Sequence, residues 1–278
     1  MLTKRDELVL QEINDWTEEL QMYTPHEFQL TYSQWLEQTI SIIPENIRLN
    51  YVNKLDEWLF HVSSWLQDSS VQQKSKKQIL TSARAFYGDI ERIEDLKYLT
   101  IDQLNYLAEQ KLAKQRLYAF IQGGLTGTGS SLFMSLDMPF LILLNLRTVQ
   151  LTAMSYGYEI NSPFELMLSL KVFHAASLPK QWHSQGWSYL MNELNTHEHS
   201  FFYEGNEKVL DETWFEKNIN QLLKTILIVL MKKSVSKRNP LMSMLLGGVT
   251  NYQFTRQTAE YAKRFYQYRY LREKRQGF

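Results

Sequence analysis

The chain has no cysteine, so disulfides and thiolate-held metals are excluded outright. That fits a reducing interior, although exported bacterial proteins also often lack cysteine. Proline and glycine are scarce, six and eleven in 278 residues, and six of the glycines fall in two short clusters. Strict period-two alternation with Asn-Gly turn pairs is essentially absent, which argues against an extensive β-sheet. No apolar run reaches the roughly 20 residues that a spanning helix needs. The greasiest, MPFLILLNL at 138–146, has nine residues and lies beside Asp137. TILIVLM at 225–231 and PLMSMLLGGV at 240–249 are also too short. The N-terminus, MLTKRDELVLQEINDW, carries charges from residue 4 onward and has no apolar signal core. The expectation is a cytoplasmic protein.

What is present is the composition of a globular domain, 44% apolar and 22% charged. The zero net charge hides an asymmetry. Residues 1–223 hold 18 Lys/Arg against 28 Asp/Glu, whereas residues 224–278 hold 12 against 2. A basic end on an acidic body implies either an anionic partner or docking on that body.

Helix starts are plainly marked. TPHE at 24–27 and SPFE at 162–165 each place an N-cap hydroxyl, a proline at the first helical position and a glutamate to close a capping box. TIDQ at 100–103 is a weaker case. The apolar spacing between starts is helical: Val9, Ile13, Trp16 and Leu20; Leu55, Leu59, Val62 and Leu66; Ile79, Ala83, Phe86, Ile90, Ile93 and Leu96; Phe215, Ile219, Leu222, Ile226 and Leu230. The pattern predicts an all-α fold, a single multi-helix domain of about eight to ten helices. N-terminal helices occupy 1–98, glycine-rich core helices 99–178, and a connection with basic C-terminal helices 179–278.

The stretch LYAFIQGGLTGTGSSLFMSLDMPFLILLNLRTVQ, 117–150, has four glycines in seven positions. It lacks the Lys of a phosphate-binding loop, and no strand precedes it. Gly123, Gly127 and Ser131, four residues apart, and Gly124 with Thr128 would instead give a helix face nearly without side chains, open to close backbone approach. Gly247 and Gly248, following a helix stop at Pro240, are its expected counterpart. Asp137 and Arg147, ten residues apart, would lie about 15 Å and some 80° apart on one straight helix, too far to pair. Asp137 then caps a helix beginning at Met138–Pro139, or each residue finds a partner on another helix. The candidates for a polar or ligand site are Asp137, Arg147, Gln150 and Asn251.

Of the six histidines, His26, His61, His174, His183, His197 and His199, only THEHS at 196–200 groups two, at i and i+2. That is not zinc spacing, and no nucleophile elbow occurs. No metal, cofactor or catalytic residue is expected. In the tail, Lys232, Lys233, Lys237, Arg238, Arg256, Lys263, Arg264 and Arg272 mingle with aromatic residues, which suits a membrane surface. The same cations go round the predicted helix, which favours partial burial.

GGLTGTGSSLFMSLDMPFLILLNLRTVQLTAMSYGY with the SPFE helix, and NPLMSMLLGGVTNYQFTRQTAEYAKRFYQYRYLRE, resemble the two long motifs of the EcsC family. SIIPENI at 41–47 and EINDW near the N-terminus are similar to it as well. The family pattern falls on Gly123, Gly124, Gly127, Asp137, Pro139, Arg147, Gly157 and Tyr158. In the tail it falls on Pro240, Gly247, Asn251, Phe254, Arg256 and Arg272. The resemblance implies a bacterial protein working beside an ABC exporter, without a settled biochemical activity. Three functions follow as expectations. The first is a non-enzymatic accessory protein, peripheral on the inner face of the cell membrane, that contacts anionic lipid or binds an apolar ligand. The second is an interaction module for the transporter subunits without a ligand. The third is an enzyme with a site near Asp137 and Arg147. No nucleic-acid partner is expected.

Overall fold

The computed structural model describes residues 2–25, 58–59, 61–126, 131–196 and 240–277, with side chains omitted at 131–138, 196 and 240–243. Every regular element among them is helical. In chain order they are α1 (Lys4–Met22), α2 (Ser70–Arg84), a 3₁₀ turn (Ile93–Tyr98), α3 (Ile101–Thr126), α4 (Ser131–Ser155), α5 (Pro163–Ser177), a 3₁₀ turn (Lys180–Trp182), α6 (His183–Thr196) and α7 (Pro240–Gln276). Residues 61–68 add a further helical stretch before α2. The all-α fold class read from the sequence is the one observed.

Three of the starts show how side chains set the boundaries. Thr3 and Asp6 form a reciprocal capping box on α1. Thr100 and Gln103 do the same for α3, the Gln103 carboxamide accepting from Thr100 N–H at 2.9 Å. At α5 the Ser162 hydroxyl accepts from Glu165 N–H and Pro163 takes the first helical position. Glu165 does not close that box; its carboxylate is committed elsewhere, as described below. The TPHE start passes out of the described residues after Pro25, the Thr24 hydroxyl donating to Met22 O at 3.3 Å, and the Phe215–Leu230 stripe lies outside them.

Two expectations are corrected. The apolar stripe from Ile79 to Leu96 is not one helix: α2 ends at Arg84, and the chain re-enters the core through a 3₁₀ turn. Ile90, Ile93 and Leu96 are fully buried all the same. The Arg84 guanidinium donates to Ile90 O at 2.8 Å, tying the intervening loop to the helix end. Pro240 starts a helix rather than stopping one, so Gly247 and Gly248 lie inside α7. Proline costs nothing in a first turn, where its missing N–H would have no intrahelical partner.

At 37 residues, α7 is about 55 Å long and is the spine of the fold. It packs along α3 and also meets α4, α5 and α1. Tyr261, Phe265, Tyr266, Tyr270 and Leu271 are buried on it. Trp16, Trp187, Tyr261 and Phe265 meet edge to face with centroids 5.1–6.4 Å apart. Helix α4 is buried despite its polar residues because they bond back to their own helix. Asn145, Thr148, Thr152 and Ser155 each donate to a carbonyl four residues earlier.

Helix α4 ends in a Schellman motif. Tyr158 N–H donates to Ala153 O and Gly157 N–H to Met154 O. Gly157 has φ +85°, and a Cβ there would lie 2.9 Å from Lys97 Cγ. Gly157→Ala is therefore expected to cost about 1–2 kcal/mol, from the left-handed backbone alone. Urea unfolding would measure it, and an unchanged midpoint would contradict this reading of the turn.

Candidate functional site

The glycine clusters meet. A Cβ built on Gly123 would stand 2.2 Å from Gly247 O and 2.8 Å from Asn251 Cγ. One on Gly248 would stand 2.9 Å from Phe120 O. Helices α3 and α7 therefore cross backbone against backbone, with Asn251 fully buried beside the contact. Gly124 is different, with Met244 O at an ordinary 3.7 Å. The small-residue face does not continue along one described helix, because α3 ends at Thr126 and α4 begins at Ser131. Gly127 lies outside the described residues.

Around this crossing the ends of α3 and α7 leave large apolar side chains in water. Leu117, Tyr118, Ile121 and Leu125 on α3, with Leu245, Leu246 and Val249 on α7, are each 43–59% exposed. Leu117, Phe120, Val249 and Tyr252, with Ala113 and Arg116, line a shallow hollow of about 440 Å³. Exposed apolar side chains are common singly, but a contiguous group marks a contact surface.

The polar candidates separate. Gln150 is fully buried in a ladder joining three segments: Gln72 Nε2 donates to Gln150 Oε1 at 3.2 Å, and Gln150 Nε2 donates to Ser63 Oγ at 2.9 Å. Arg147 lies one turn earlier on α4 and donates from Nη2 to Ser75 Oγ on α2 at 2.9 Å. Its Nε is buried without a hydrogen-bond partner. Burial lowers the Arg147 pKa, opposed by Tyr118. Asn251 is on α7 at the glycine crossing. Asp137 is inside α4, which runs through Pro139, so it is not the N-cap of a helix starting there. Its side chain is outside the described set.

One group was missed. Lys111 on α3 is only 7% exposed and donates to Gln78 Oε1 on α2 at 3.0 Å. Burial, then repulsion from Lys114 and Arg147, pushes its pKa down to about 8. The signal was in the spacing. Leu104, Leu107, Ala108, Lys111, Leu112, Gln115 and Ala119 follow helical core positions, and Lys111 occupies one of them.

The basic tail is largely docked on the chain's own acidic body. Lys263 donates to Glu109 on α3 at 2.7 Å, and Lys274 lies 2.8 Å from Asp6 on α1. Arg264 reaches Glu12 at 3.5 Å and its helical neighbour Glu260 at 2.9 Å. Arg256 is exposed and Arg272 half-buried. Lys232, Lys233, Lys237 and Arg238 lie outside the described residues.

Arg269, in the sequence one of the basic tail's cations interleaved with aromatic residues, anchors α7. Its two terminal nitrogens donate to Glu165 at 2.7 and 2.6 Å, and Nε donates to Glu273 at 3.1 Å. The guanidinium lies 3.9 Å over the Tyr158 ring. Burial alone would lower the Arg269 pKa, but the charge and hydrogen bonds of Glu165 more than offset it, and the net shift is upward. Gly157 and Tyr158 thus serve the architecture: one turns the chain, the other floors the Arg269 pocket.

His174 and His183 are neutral core histidines, their pKa values lowered by burial to about 3 and about 4. Among the described residues no group of three or more His, Asp or Glu could hold a metal. His197 and His199 lie outside those residues. Among the described residues, too, no helix is long and apolar enough to cross a membrane.

Comparison with known proteins fits this geometry to a lineage. The chain is 27% identical over 138 residues to "Uncharacterized protein YdbA" of Bacillus subtilis (strain 168), covering 49% of each chain. It is 21% identical over 204 residues to "Protein EcsC" of the same organism, covering 73% of this chain and 79% of that protein. The matched segment thus spans about half the length of the first of these relatives. No solved structure matches. The model of the EcsC protein family matches residues 7–271, which takes in every described helix from α2 to α6 and most of α1 and α7. The chain therefore belongs to the EcsC protein family.

Proposed function

We propose that this is a non-enzymatic accessory protein of an ABC exporter system that attaches to the inner membrane leaflet, or holds an apolar ligand, through the exposed ends of α3 and α7. The observation that supports this is the group of apolar side chains around the glycine crossing, half in water on two neighbouring helices. Burying such side chains contributes roughly 1.5–3 kcal/mol each when complete, so a few suffice for reversible attachment. The tail adds less than its composition suggests, because Lys263, Arg264, Arg269 and Lys274 already face carboxylates of their own chain.

Vesicle co-flotation tests the reading. The purified protein is expected to float with anionic vesicles and to keep most of its binding at high salt. The double variant Leu125→Glu, Leu245→Glu is expected to lose at least tenfold in partitioning. Both positions are already solvated in the folded chain, so the fold should be unchanged. Flotation that vanishes with salt and ignores this variant would transfer the contact to the basic residues. No flotation with any lipid would favour an interaction module for transporter subunits.

A further inference from the structure

Lys111 and Arg147 form a pair of cations brought together on α3 and α4 with no carboxylate, among the described residues, in the charged groups acting on either. The groups that do act on Lys111 are Lys114 and Arg147, and on Arg147 the phenol of Tyr118. From α2 come only neutral acceptors, Gln78 to Lys111 at 3.0 Å and Ser75 to Arg147 at 2.9 Å. Ser75 and Gln78 are one turn apart on the same face of α2, so both cations converge on one edge of that helix. An ammonium has three donors and a guanidinium five, and each side chain uses one among the described residues. The Arg147 Nε is moreover buried and unbonded, an arrangement that native structures rarely leave without a purpose. Elsewhere among the described residues the buried cations are paired, as Arg269 with Glu165 and Lys171 with Glu193. Two desolvated like charges side by side cost stability, and an oxyanion between them would remove that cost.

The surroundings say what carries the oxyanion. Lys111, Lys114, Tyr118, Ile121 and Leu125 fall at steps of three, four, three and four along α3, one stripe of the helix. Its first turn is cationic and its last two are apolar and about half exposed. We propose that Lys111 and Arg147, with Ser75 and Gln78, bind a phosphate group, and that the Tyr118–Ile121–Leu125 stripe receives an apolar tail attached to it. The ligand class is an anionic phosphate amphiphile. This rests on the proposed apolar contact for the tail but not for the phosphate, which Lys111 and Arg147 could take from a free phosphomonoester.

Titration calorimetry with the full chain tests this with two probes, inorganic phosphate and a short-chain phosphatidic acid below its micelle concentration. The expected result is that phosphatidic acid binds at least tenfold more tightly than inorganic phosphate. Binding at pH 8.5 should take up protons, seen as a dependence on buffer ionisation enthalpy, because the bound anion raises the pKa of Lys111. Lys111→Met and Arg147→Met are each expected to lower affinity at least tenfold. Lys111→Met should also abolish the proton uptake and raise thermal stability, which separates loss of ligand from loss of fold. Equal binding of the two probes would assign the site to a free phosphate and overturn the tail. Vesicle flotation with no preference for phosphatidic acid over phosphatidylcholine, and no calorimetric signal, would overturn the phosphate site while leaving the membrane reading standing. Affinity unchanged in both Met variants would overturn the assignment to these residues.

Discussion

Glu165→Gln should lower the stability of this protein by about 3 kcal/mol, the low end of the cost of breaking a buried pair, because Arg269 loses its bidentate partner but keeps Glu273 at 3.1 Å. Both side chains are nearly out of water, at 10% and 14% exposure for Arg269 and Glu165. The bidentate pair closes α7 onto the start of α5, 104 residues away in sequence. Removing both charges together, Glu165→Leu with Arg269→Met, should cost much less, because a buried pair is weak evidence of net stability while a broken one is strongly destabilising. Lys97 would still satisfy Glu273, which it meets at 2.7 Å. A matched control is Glu12→Gln. Glu12 is 53% exposed and 3.5 Å from Arg264, so its loss should cost less than about 1 kcal/mol. Urea denaturation measures all three. A double variant as unstable as the single one would show that the pair's shape, not its charge, holds the helices.

Gly123→Ala and Gly124→Ala should change stability in opposite directions. Both replace a helical glycine with the best helix former, a gain of about 1 kcal/mol taken alone. At Gly124 nothing opposes it, since the nearest atom stands 3.7 Å away. At Gly123 the new methyl would meet the Gly247 carbonyl at 2.2 Å, and backbone does not swing aside as a side chain would. Helices α3 and α7 would have to separate along their shared length, at a cost on the upper side of the 1–3 kcal/mol of overpacking. The expected outcome is a loss of about 2 kcal/mol for Gly123→Ala and a gain of up to about 1 kcal/mol for Gly124→Ala. Equal effects at the two positions would contradict a backbone crossing at Gly123.

The helices were legible because their signals are local. Ser162 and Thr100 cap where their sequences say, and Val9, Ile13, Leu66 and Ile79 are buried as their spacing predicts. What depended on distant partners was not legible. Arg269 looked like one cation among twelve because Glu165 is on another helix. At Pro240 the sequence does carry a start signal, since Asn239 is a preferred N-cap residue and proline suits the first helical position. The run from Ile79 to Leu96 kept its burial while changing its backbone, since helical spacing reports which residues face the core and not whether the chain between them is regular. Of the polar candidates, Arg147 and Gln150 do lie on one edge of α4 against α2, and Asn251 does line the glycine crossing. Lys111 could have joined them, as the one cation on a core position of α3. Of the two readings the sequence leaves open for Asp137, a cap or a partner on another helix, the cap is excluded because α4 passes through Pro139.

The claim that matters most is that the protein meets membrane through the apolar ends of α3 and α7. The absence of cysteine makes the direct test simple, since one introduced thiol is the only labelling site. An environment-sensitive fluorophore would be placed in turn at Leu125→Cys, Leu245→Cys and Arg275→Cys, and each protein mixed with vesicles carrying a lipid-borne quencher. A blue shift and strong quenching at 125 and 245, with little change at 275, is the predicted result. Quenching at 275 with none at 125 and 245 would contradict it and place the contact on the basic end of α7.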